Sequence, residues 1–97
     1  MALALLFEVP GYTQEHYDQV IETLQRGGKT AEGRLFHLAG PMEGGWRFLD
    51  VWESQEAADK FFQETLRPAA QQVGFVPGPP QQVWPVYNLL SGPEHHL

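Results

Sequence analysis

The chain predicts an α+β fold of the split βαβ, ferredoxin-like kind, with a four-stranded antiparallel sheet and two helices on one face in the order β-α-β-β-α-β. Three observations carry this. Four strand-like stretches, ALALLFEV (2–9), RLFHLA (34–39), WRFLDVWE (46–53) and QVWPVYNLL (82–90), enclose two segments of helical period, and only the turn residues GPMEGG (40–45) separate the middle pair. The first stretch is almost continuously apolar, as an interior strand buried on both faces should be. The last contains Pro85, which removes a ladder donor and suits an edge. The spatial order 4-1-3-2 of this topology meets both demands.

The elements follow in turn. Pro10-Gly11 stops the first strand, and Thr13 is a fitting N-cap for a helix to about Arg26, with Glu15 in its first turn. Tyr17, Val20, Ile21 and Leu24 share one stripe of that helix, His16 sits on a solvated flank, and Gly27-Gly28 ends it. Ser54 caps a second helix, 55–66, which buries Ala58, Phe61, Phe62 and Leu66. Pro68 breaks or kinks it, or opens a short helix over 68–73. Residues 74–80 are rigid coil, and the tail 91–97, with His95 and His96, is frayed and solvated.

With 97 residues the chain is a single domain, 1–97, with an ordered core over about 2–90. A net charge of −6 with only six Lys and Arg argues against nucleic acid and anionic membrane partners. No cysteine is present, so there is no disulfide framework, thiolate metal site or Cys nucleophile. MALALLF lacks a basic signal-peptide start, and no apolar run approaches the roughly 18 residues of a membrane span, so cytoplasmic is the default location. Neither a glycine-rich nucleotide motif nor metal-ligand spacing occurs, so no cofactor and no metal is expected.

Side chains alternate across strands, which sorts the hairpin into two faces. Pairing Ala39 with Trp46 across the glycine turn gathers Phe36, Leu38, Leu49 and Val51 as a floor for the helices. It leaves Leu35, His37, Trp46, Phe48, Asp50 and Trp52 on the opposite face. A face with three large aromatics needs a cover. The economical cover is a second copy, sheet against sheet, a homodimer enclosing a barrel-like cavity.

GRLFHLAGPMEGGWRFLDVWES (33–54) followed by AADKFFQETLRPAAQQVG (57–74) resembles the dimeric α+β barrel superfamily. Its members include antibiotic-biosynthesis-type monooxygenases and stress-responsive barrel proteins, and the likeness extends to about Leu90. It implies a dimeric barrel and a small-molecule cavity, on a fold that hosts many chemistries. Haem-degrading relatives carry an iron-ligating His on the second helix; residues 55–66 contain none.

His37 and Asp50 are the candidate catalytic pair, diagonal neighbours in that register. A carboxylate beside an imidazole fixes its tautomer and strengthens it as a base. The pair either takes a proton from a phenol or enol, or satisfies itself at a dimer interface. Trp46, Phe48, Trp52 and Leu35 are either an apolar wall for an aromatic ligand or packing. Tyr87 and Asn88 lie on opposite faces of the last strand, and one of them faces the cavity. Arg47 points to the helix side and makes a surface ion pair. Two functions remain: a cofactor-independent monooxygenase or other proton-abstracting enzyme on an aromatic or enolic substrate, and a non-catalytic ligand-binding or stress-related dimer.

Overall fold

The computed structural model of the chain describes residues 1–90 and 92. The tail 91–97, for which fraying is expected from sequence, lies outside the described residues apart from Gly92, and His95 and His96 lie outside them with it. The elements are β1 (Leu3–Pro10), α1 (Gln14–Arg26), β2 (Arg34–Met42), β3 (Gly45–Trp52), α2 (Gln55–Phe61), a π-helical turn (Phe62–Leu66), α3 (Arg67–Val73) and β4 (Gln82–Pro85). The strands form one antiparallel sheet in the order β2-β3-β1-β4, with β1 interior and β4 at an edge as expected.

Local chemistry sets the boundaries. The Thr13 hydroxyl accepts from the His16 N–H, and His16 Nδ1 accepts from the Thr13 N–H, each at 3.1 Å. This reciprocal cap gives His16 a structural role in place of the solvated flank expected of it, and its ring also packs on Tyr12 and Phe75. Ser54 caps α2 through the Ala57 N–H. Pro68 lies in the first turn of α3, the second of the two outcomes expected of it, and the helical backbone runs on from α2 without a break. The Arg67 N–H reaches back five residues to the Phe62 carbonyl, and this widened turn makes room for the proline ring. β4 is shorter than the sequence suggests. Its ladder ends at Pro85, and Tyr87 lies beyond it, fully exposed.

The β2–β3 turn is tighter than expected. Met42 pairs with Gly45, leaving a two-residue connection in which Gly44 adopts φ +74°. The register therefore slips by two residues, so His37 pairs directly with Asp50 and Ala39 with Phe48. A slip of two preserves the faces. At the start of β2 a bulge interrupts the ladder: Arg34 pairs with Trp52 and Phe36 with Val51, which leaves Leu35 as the extra residue.

The sorting of residues into faces holds except at the bulge, where Arg34 takes the place expected of Leu35, but the covers are exchanged. The helices lie on the face of Leu5, Phe7, Val9, Phe48 and Trp52, which form the core with Tyr12, Ala58 and Phe61. Phe36 and Leu38, expected beneath the helices, are instead exposed on the other face with Trp84, beside half-buried Leu49 and buried Val51. The bulky rings explain the exchange. They reach across the gap between sheet and helices, and Trp52 is 0% exposed against Phe61 and Phe62. Among the described residues no helix is long and apolar enough to cross a membrane.

Candidate functional site

A cavity of about 310 Å³ lies within the protomer, between the inner face of the sheet and the helices. Phe7, His37, Phe48 and Asp50 contribute from the sheet, Tyr17, Val20, Ile21 and Leu24 from α1, and Phe62 and Leu66 from the π-helical turn. The coil at residues 76–80 closes one side. The size is at the lower end of the roughly 300–1,000 Å³ of small-molecule sites, and the wall is apolar with a few convergent polar groups, as such sites require.

Those polar groups form a chain. The Tyr17 hydroxyl is 2.7 Å from His37 Nε2, and His37 Nδ1 is 2.5 Å from Asp50 Oδ1. Asp50 is buried. An ionised carboxylate can only accept, so His37 donates from Nδ1, its Nε2 carries the lone pair, and Tyr17 donates to it. The Tyr17 and His37 rings lie parallel, 2° apart, and Phe48 stacks beside both. Burial pushes the Tyr17 hydroxyl above the usual phenol range, Arg34 opposes this, and the charges of Asp50 and Asp18 add to it. Deeper in the core, burial and neighbouring Tyr17 push Tyr12 up to about 12. Tyr17 is thus held neutral, its proton directed at the imidazole and its oxygen at the cavity.

Of the residues singled out from sequence, His37, Phe48 and Asp50 line the cavity. Trp46 and Trp52 do not. They pack beside it in the core, and their indole N–H groups find no partner among the described residues. Leu35 is the exposed bulge residue, and Tyr87 is remote on the surface, so neither meets the cavity. Asn88 is likewise exposed past the end of β4. Arg47 lies on the outer face, not the helix side, and pairs with Glu8 at 3.6 Å. Tyr17, Arg34 and Arg67 went unrecognised. For Tyr17 a signal existed: a phenol on the buried stripe of a helix needs a hydrogen-bond partner. Among the described residues no cluster of three His, Cys, Asp or Glu could hold a metal ion.

No protein-family model matches the chain, and no curated protein matches it either. Solved structures do. A Chloroflexus aurantiacus protein provisionally described as an antibiotic biosynthesis monooxygenase superposes with a TM-score of 0.58 at 16% identity, over 95% of this chain and 100% of that one. SnoaB, a cofactor-independent oxygenase from Streptomyces nogalater, gives 0.55 at 14% identity over 94% and 96% of the two chains. A dimeric ferredoxin-like protein of unknown function from Jannaschia gives 0.50 at 18% identity over 76% and 80%. Together with the topology, these matches establish that the chain has a ferredoxin-like α+β fold, the fold these structures share.

Proposed function

We propose that the cavity binds a small aromatic or enolic molecule and that the Tyr17–His37–Asp50 chain removes its proton, so that the electron-rich anion reacts directly with dioxygen. The observation that carries this reading is the hydrogen-bonded chain opening on an apolar cavity. A substrate hydroxyl or activated C–H donates to Tyr17 Oη as the Tyr17 proton passes to His37 Nε2. The resulting imidazolium is stabilised by Asp50. The substrate anion gives its electrons to O₂ and forms a C–O bond. The proton held on His37 returns to the peroxide anion, and the hydroperoxide then loses water, leaving a carbonyl where a CH₂ stood and the imidazole neutral again. One oxygen atom enters the product and the other leaves as water, with O₂ as the oxidant. The ring wall keeps bulk water from the anion.

The protein is also proposed to act as a homodimer, joined through the apolar outer face. A monomer would leave that face in water, and a structural relative with this fold is dimeric. Each cavity lies within one protomer, so the dimer closes the sheet rather than the site.

Oxygen uptake with a panel of quinols and anthrones, followed in the wild type and in Asp50→Asn, tests the function. The carboxamide keeps the shape but no longer stabilises the imidazolium, so turnover should fall by about 10²–10⁴-fold. Tyr17→Phe should fall with it, because the substrate then loses the hydroxyl that relays its proton. Turnover unchanged in both variants would overturn the proton-abstraction reading. Ligand binding without turnover on any substrate would favour a non-catalytic binding protein.

A further inference from the structure

Two arginines line this cavity, and both are there because the backbone is irregular where they sit. In an unbulged β2, alternation would turn Leu35 toward the helices and Arg34 away. The bulge at Leu35 sets Arg34 opposite Trp52, on the inner face, and its guanidinium lies over the Phe61 ring at 5.7 Å. Bulges commonly re-aim side chains beside active sites. Arg67 follows directly on the π-helical turn, itself a device frequent at functional sites. The chain carries only six Lys and Arg in all. Arg26 and Arg47 are paired with Glu22 and Glu8, but neither Arg34 nor Arg67 forms an ion pair among the described residues. Asp50, the one carboxylate on the cavity wall, is engaged by His37.

Resting on the cavity as the substrate site, the geometry points to a substrate that carries an anionic group, a carboxylate, held by Arg34 and Arg67 while its acidic hydroxyl meets Tyr17. The arrangement solves a charge problem. A chain of net charge −6 repels anions at long range. Arg34 and Arg67, exposed at the rim of an apolar cavity and without an ion-pair partner among the described residues, reverse that locally, and a planar guanidinium matches a carboxylate in two-point fashion. A cation over a ring face keeps its N–H donors available at its edges, so the contact with Phe61 positions Arg34 without occupying it. The influence of Arg34 on the Tyr17 hydroxyl places the two groups in one electrostatic neighbourhood.

Binding of 2-naphthol and 6-hydroxy-2-naphthoate, measured by calorimetry on the native protein and on Arg34→Gln/Arg67→Gln, tests the proposal. The two probes share a ring system and a hydroxyl and differ by the carboxylate. The acid should bind about tenfold more tightly than the naphthol at low salt. The preference should shrink as salt is added and collapse in the double variant. Equal affinity for both probes overturns the anionic substrate while leaving the aromatic cavity standing. A preference that survives the double substitution places the anion elsewhere and overturns the assignment to these arginines. Failure of both probes to bind overturns the aromatic-cavity reading and this inference with it. Matching unfolding temperatures for the two proteins establish that the comparison is made on folded chains.

Discussion

The two faces of the sheet are built from the same strands and do opposite work. The inner face carries Phe7, Phe48, Trp52, His37 and Asp50, and is covered by the helices. The outer face carries Ala4, Leu6, Leu38, Leu49 and Val51, with Phe36 and Trp84 near its edges. Rigid rings that meet edge-on, such as Phe7 with Phe62 at 83°, cannot fill the space beneath a helix completely. They leave a cavity whose polar groups must satisfy one another. Aliphatic side chains make a flatter surface, with the Glu8–Arg47 ion pair toward the β2–β3 turn, suited to contact rather than chemistry. The pleat thus divides chemistry from association residue by residue, and the Arg34 bulge is the place where one residue is moved from the second set to the first.

The largest effect expected from breaking this contrast is at Trp52. It is fully buried, and Trp52→Ala should cost about 3–5 kcal/mol of folding free energy, enough to leave much of so small a chain unfolded. Phe36→Ala, on the outer face and 36% exposed, should cost far less in the isolated protomer. Urea unfolding of both variants measures the ratio, and equal losses would erase the distinction between core and contact face.

A smaller effect reads the inner face through Tyr12. Its hydroxyl is raised to about 12 in the folded chain against an unfolded value of 10. Below pH 10 both states keep the proton and nothing is lost. As pH rises from 10 through 12, the unfolded state gives up its proton first, so stability should fall by roughly 2–3 kcal/mol. Tyr12→Phe should flatten that alkaline limb in a pH series of unfolding curves. An unchanged limb would mean that other groups set it.

The sequence made the elements, their order and the two sets of facing residues legible, because alternation and helical period are local properties. It also brought His37 to Asp50, since a two-residue slip keeps a face intact. It could not say which set the helices cover, because that depends on how far each side chain reaches across a layer. Nor could periodicity reveal Tyr17 as part of the site: its hydroxyl lies on the same helical stripe as Val20 and Leu24, and only the tertiary arrangement sets it against His37. Arg34 was hidden for a different reason. Alternation assigns it to the outer face, and only the bulge, which leaves no mark in the hydrophobic pattern, reverses that.

The smallest effect on folding, and the sharpest test of the division, is expected at Leu38. Its side chain is 45% exposed on the outer face, so Leu38→Glu should change the stability of an isolated protomer by no more than about 0.5 kcal/mol. In a two-fold dimer joined through this face the same change occurs in both copies and sets carboxylates in an apolar contact, where an unpaired charge is costly. Sedimentation at micromolar concentration should therefore show dimer converted to monomer. The cavity lies on the other side of the sheet and within one chain, so the rise in unfolding temperature caused by an aromatic ligand should persist in that monomer. A variant that stays dimeric places the interface elsewhere. A monomer that no longer answers to ligand shows that the outer contact holds the inner cavity in shape, and that the two faces are one device.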